Sequence, residues 1–233
     1  MKAKFKNEIE EIRANDFNFD ASLTLWDSVL HEFQESQDPQ SNKVWAMMTA
    51  IEVHQLYSQA FEQLKKGDYY IAWCTLERAE LAIAAIMRND ADLYETVKDI
   101  SFQIKRIQSI YPYKAFASTE ILIKEQKCSI CDSVRSIRND CGHRVGYVYN
   151  GNLCANIVTK AELKSVSIVT NPVHKYAVAF IKDEKGGTSD HYDYGILSAI
   201  IKVWESPYKF WDYQITTKDS HPHINFILGL EGV

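Results

Sequence analysis

Between positions 128 and 154 the chain carries Cys128-Ser-Ile-Cys131, Cys141-Gly-His143 and Cys154, and this spacing restricts the local fold more than any other feature. A C-x2-C pair sets two thiolates on one tight turn, where both reach a single tetrahedral cation, and a C-x-H pair further on closes the shell. Thiolate and imidazole donors in this arrangement form a zinc pattern. A shell filled by protein alone points to one structural ion, because a catalytic zinc keeps a position for water. Five candidates compete for four places. The sequence-local set Cys128, Cys131, Cys141 and His143 is the first choice. The alternative keeps Cys154, folded back by a hairpin at Asn150-Gly151, and drops Cys141 or His143.

Cysteine usage and charge narrow the setting. Four of the five cysteines crowd into this stretch and Cys74 falls in an apolar helical pattern, which suits metal binding in a reducing compartment better than a disulfide framework. The first residues include Lys2, Lys4, Lys6, Glu8, Glu10 and Glu11, where a signal peptide needs an apolar segment, and no apolar run of about 18 residues occurs. The expectation is a cytoplasmic protein with no membrane partner. With 46% apolar residues over 233 positions the chain is long enough to bury a core. Of 26 basic and 31 acidic side chains, 13 and 18 lie in residues 1–118, leaving 13 of each beyond. Neither half has the basic excess that drives phosphate binding through counterion release.

The first half reads as helices. Asp20 or Ser22 can cap a helix with Leu25, Trp26, Val29, Leu30 and Phe33 on one face, interrupted by the polar stretch 35–42. A second helix runs from Lys43 to Lys66, Gly67 supplies a C-cap, and Ala72, Leu76, Ala79, Ile83 and Ile86 repeat at spacings of four and three. Asp90 or Asp92 can cap a fourth helix, whose Leu93, Val97, Ile100, Ile104 and Ile107 form a narrow stripe that Tyr111-Pro112 ends. Such a stripe packs inside the chain or against a second copy.

Beyond Phe116 the pattern changes. Ile121–Ile123, Val166–Thr170, Tyr176–Ile181, Tyr213–Thr217 and Ile224–Leu228 read as strands. Asn150-Gly151 predicts a type I′ hairpin, Thr159 with Glu162 a capping box for a short helix, and Tyr192 to Glu205 a longer helix. The expected class is α+β: an all-helical N-terminal domain (1–118) followed by a zinc-binding α+β domain (119–233).

Other residues carry weaker chemical signals. Arg135, Arg138 and Arg144 surround the cysteines and are candidate phosphate contacts, although a solvated rim is the plainer reading. Arg138 and His143 have the R-x4-H spacing of ribonucleases with the helical HEPN fold, but Gly142 and the ligand pattern place them in a loop. Ser167 with His174, and His221 with His223, define neither a nucleophile–base pair nor a second metal site. No Walker A, GxGxxG, HExxH or GxSxG motif is present, and no catalytic residue is assigned.

Two resemblances accompany these readings. Around Leu56, Ala60, Gly67-Asp68-Tyr69, Ala72, Leu76 and Ala79 the chain resembles one tetratricopeptide repeat over about 34 residues, without the further copies an array needs. Cys128-x2-Cys131, Cys141-x-His143, Gly146, Tyr149-Asn150-Gly151-x2-Cys154 and Val166-Ser167-Ile168-Val169-Thr170-Asn171-Pro172 resemble a cysteine-rich zinc-knuckle module of bacterial and prophage-encoded proteins, over roughly residues 126–182. The 166–172 stretch is also similar to a strand and turn of phage prohead proteases. The resemblance implies a bacterial or phage origin, such as a phage-conflict locus, and at most a shared β scaffold.

Together these features lead to the expectation of a zinc-stabilised interaction or accessory protein without catalysis. It would dock a protein partner, or itself, through its N-terminal helices. The alternatives are a nucleic-acid-associated zinc protein and a hydrolase on the prohead-protease scaffold.

Overall fold

The structure is a computed structural model that describes residues 1–14, 17–182 and 188–208. The strand-like runs Tyr213–Thr217 and Ile224–Leu228, and the His221/His223 pair, lie outside the described residues.

Five helices form the first half: α1 (Lys2–Arg13), α2 (Phe19–Glu35), α3 (Ser41–Lys66), α4 (Tyr69–Asn89) and α5 (Ala91–Ser109). Helix α1 has no counterpart in the sequence reading, yet its Phe5, Ile9 and Ile12 form a buried stripe. Its Glu8 is also buried, accepting hydrogen bonds from Ser22 Oγ (3.1 Å) and Trp26 Nε1 (2.7 Å) of α2. Ser22 therefore joins two helices rather than capping one. Asn18 is the cap, accepting from the Ala21 N–H at 3.1 Å. Asp90 caps α5, accepting from the Leu93 N–H at 3.0 Å, and Gly67, at φ 86°, ends α3.

Helix α3 lies at the centre, packed against α1, α2, α4, α5 and α6 (Gly195–Val203). It is apolar on nearly every side, with Val44, Met47, Ile51, Val53, Leu56, Tyr57 and Leu64 buried, as a helix enclosed by others must be. The α5 stripe of Leu93, Val97, Ile100, Ile104 and Ile107 is buried in this chain's own core.

The strand region follows at once. The strands β1 (Phe116–Cys128) and β4 (Asn156–Val169) pair antiparallel along their whole length as a two-stranded ribbon. The capping box expected at Thr159 and Glu162 is thus overturned, because both residues lie inside β4. Their side chains bond across or along the ribbon instead: Thr159 Oγ1 donates to Glu125 at 2.7 Å, and Glu162 pairs with Lys124 and Lys164. Within the loop between them, β2 (Val148–Tyr149) and β3 (Asn152–Leu153) pair; after β4, β5 (Ile181–Lys182) pairs with β6 (Thr188–Ser189). Tyr176–Ile181 forms no full strand: Val178 bridges Phe116 singly and β5 begins at Ile181. The helical half is thus followed by an α+β half. Val148, Val178, Leu197, Ile201 and Trp204 from that half join the core of the helices. No helix among the described residues is long and apolar enough to cross a membrane.

Candidate metal centre

The centre sits where β1 runs out. Cys128 is the last residue of that strand, and the chain reverses beyond it: Asp132 N–H donates to Cys128 O at 2.9 Å, and Cys128 N–H to Ser133 O at 3.0 Å. This tight turn presents Cys131 beside Cys128. The chain then returns along β1, with Arg135 N–H donating to Gln126 O at 2.9 Å. Between the second pair of candidates, Gly142 takes φ 78° and donates to Asp140 Oδ1 at 3.1 Å. A side chain there would be strained in the left-handed region, so the C-x-H step depends on glycine.

The ligand atoms of Cys128, Cys131, Cys141 and His143 all lie within 4.8 Å of one another, a group that can hold one metal ion. A tetrahedral ion with metal–sulfur bonds of about 2.3 Å separates its ligands by about 3.8 Å. Cys128 Sγ stands 3.7 Å from His143 Nδ1, at that spacing. The His143 ring is backed edge-on by Tyr149, with centroids 4.6 Å apart, and the Tyr149 hydroxyl accepts from the Arg144 N–H at 2.9 Å. The tyrosine thus backs the imidazole by ring contact and is itself held by the chain that follows His143. Arg138 through His143 form a loop with no helix, so the R-x4-H pair is not presented as a helical ribonuclease presents it.

Cys154 occupies a different position. It is buried, with its sulfur 3.9 Å from that of Cys128, and it stands outside the group of four mutually close ligand atoms. The Arg135 guanidinium lies against this pair, donating to Cys128 Sγ at 3.2 Å, Cys154 Sγ at 3.3 Å and His143 O at 2.6 Å. The electrostatics separate the two thiols. Burial opposes ionisation of Cys128, but the Arg135 hydrogen bond and the backbone N–H groups of Ile130 and Cys131 outweigh it and hold the thiol well below its ordinary value. The His143 backbone N–H likewise draws Cys141 down, against burial. Burial pushes Cys154 up, and its neighbour Cys128 reinforces this. Thiolate character is therefore favoured at Cys128 and Cys141 over Cys154. Three thiolates around a divalent ion leave one negative charge in excess, and Arg135 is placed to offset it.

Of the three arginines read as candidate phosphate contacts, Arg135 is turned into the cysteine cluster, while Arg138 and Arg144 are exposed at its rim. Ser167 lies on β4 paired with Ser118, and His174 stacks on Tyr176. Cys74 is half-buried against the core of the helices.

Two residues that sequence reasoning passed over hold the centre on the helices. Asn89, at the end of α4, donates to Gly146 O and accepts from Val148 N–H, both at 2.9 Å. Asn42, at the start of α3, donates to Val148 O at 3.2 Å and accepts from Gly151 N–H at 2.8 Å. Each amide satisfies strand backbone as a neighbouring strand would. Asn150 and Gly151 take φ 46° and 71°, both positive as a type I′ turn needs. A Cβ on Gly151 would stand 2.6 Å from Leu30 Cδ1, so this turn presses directly on α2. No protein-family model, curated protein or solved structure matches this chain.

Proposed function

We propose that this is a zinc-stabilised interaction protein, in which one structural zinc held by Cys128, Cys131, Cys141 and His143 ties the far end of the β1–β4 ribbon to the helices. The observation that carries this reading is the convergence of three sulfurs and one imidazole within 4.8 Å, in a loop that Asn42 and Asn89 fasten to α3 and α4. All four positions of a tetrahedral ion are then filled by protein, so the ion supports structure. A bacterial or phage origin is part of the proposal and is supported by the resemblance of residues 126–182 alone.

The test is metal analysis of the purified chain joined to cysteine replacement. One zinc per chain is expected. Cys131→Ser should abolish it and destabilise the knuckle, because metal binding and folding of such sites are coupled. Cys74→Ser should leave the zinc in place. Cys154→Ser should retain the metal with weakened packing; loss of zinc in that variant would exchange Cys154 into the ligand set. Absence of zinc from the native protein would remove the reading.

A further inference from the structure

The β1–β4 ribbon leaves its core contact at Phe116 and Val169 and is open to solvent on both faces beyond them, one of which is apolar. Strand residues alternate between faces, and a register shift between Glu120 and Ile121, which leaves Lys164 without a paired residue, resets the phase of β4, so that Ala117, Thr119, Ile121, Ile123, Ala161, Leu163, Val166 and Ile168 share one face. Ser118, Glu120, Leu122, Glu162, Ser165 and Ser167 take the other. At the base of the ribbon this second, mainly polar face is the one turned to the body, since Phe116 and Val169 belong to it and pack against the core. The apolar face looks outward. Ile168 is 66% exposed, Leu163 61% and Val166 57%, and β4 is exposed from Asn156 to Ile168. A two-stranded ribbon in water is marginal without a further layer on its apolar side.

We propose that this face is a self-association surface, and that its occupant is the same face of a second copy of this chain. The proposal rests on the interaction role argued above and names its partner. Three observations favour a second copy. Five branched side chains, each about half exposed, offer on the order of 500 Å² per chain, so two copies bury about 1,000 Å², the size at which specific interfaces begin. The two strands carry Lys124, Lys127, Lys160 and Lys164 against Glu120, Glu125 and Glu162. This near-balance gives nucleic acid or an anionic membrane no field to follow, and two copies related by a two-fold axis meet no net repulsion there. Finally, the α5 stripe, for which the sequence raised packing against a second copy, is already buried within the chain.

Sedimentation equilibrium of the full chain, with zinc content measured on the same samples, tests this. Twice the 26.8 kDa chain mass is expected. Leu163→Glu should return the chain to single mass with zinc and helical circular dichroism kept, while Ser167→Glu, on the opposite face, stays dimeric. If Leu163→Glu does not fold, Val166→Ser provides the same test, raising the dissociation constant about tenfold. A native chain that is single at every concentration overturns the proposal, as does equal weakening by Leu163→Glu and Ser167→Glu. A native monomer that dimerises only after removal of residues 209–233 overturns it in favour of the chain's own C-terminal segment as occupant. A zinc-loaded monomer rejects the ribbon interface and leaves the metal reading intact, and a zinc-free dimer does the reverse.

Discussion

His54 lies midway along α3 and is only 1% exposed, packed against Tyr208, whose hydroxyl is 3.1 Å from His54 Nδ1. Burial, aided by the Arg13 charge, draws its pKa down to about 3. The folded chain therefore refuses a proton that the unfolded chain accepts below the ordinary histidine value of about 6.5. The sign follows: the stability due to neutral His54 is complete above about pH 6.5 and is lost as pH falls toward 3, at about 1.4 kcal/mol per unit. Between pH 7 and pH 5 this amounts to about 2 kcal/mol. An ion held by the cysteine cluster would also be released in acid as its ligands take up protons, so the informative comparison is between the native chain and His54→Gln. Unfolding free energies from urea titrations at the two pH values should fall less in the variant by about that amount, and equal falls would show that His54 does not carry the effect.

At the scale of elements, what could be read in the sequence divides by how local its cause is. The helices α2 to α5 were legible because each buries a stripe at spacings of three and four, and the Asp90 cap and the Gly67 stop sit in the sequence next to what they terminate. Even α1 had a readable stripe in Phe5, Ile9 and Ile12, hidden among lysines and glutamates. The knuckle was legible for the same reason, its ligands being close along the chain. The ribbon was not. Thr159 and Glu162 carry the signature of a helix start, but a four-residue signal is outweighed by pairing with β1, which sets Glu162 opposite Leu122 and Val158 opposite Gln126. The asparagine clamps were the least legible, since nothing along the chain near Asn42 and Asn89 points to Gly146, Val148 and Gly151 until the fold brings them together. Asn89→Ala should strip partners from a half-buried N–H and C=O at once, at a cost of about 1–3 kcal/mol. Faster hydrogen exchange at Val148, with α3 unchanged, is the expected result, and unchanged exchange there would show that the clamp is idle.

For the whole molecule, the question is which parts fall together when the ion is removed. The ribbon is held at both ends by different means. At its base, Phe116 stacks on Trp73 and the following strap is tied to α4, with Trp73 Nε1 donating to Lys175 O at 2.6 Å and Lys175 N–H to Glu77 at 2.7 Å. At its far end, Cys128 enters the metal centre, and of the knuckle only Val148 reaches the core. The helices pack mainly on one another around α3 and draw most of their stability from that enclosed core. Losing the metal should therefore open the molecule from one end. With a strong chelator, amides of residues 128–155 should lose protection first and the Cys128 end of the ribbon next, while the Phe116 end and α3 to α5 keep theirs. Exchange followed by mass spectrometry checks this peptide by peptide. Simultaneous loss of protection in α3 would mean instead that the metal and the helical core form one cooperative unit. Unchanged protection throughout would mean that the asparagine clamps and Val148 hold the knuckle without an ion, and that the four ligands contribute little to its fold.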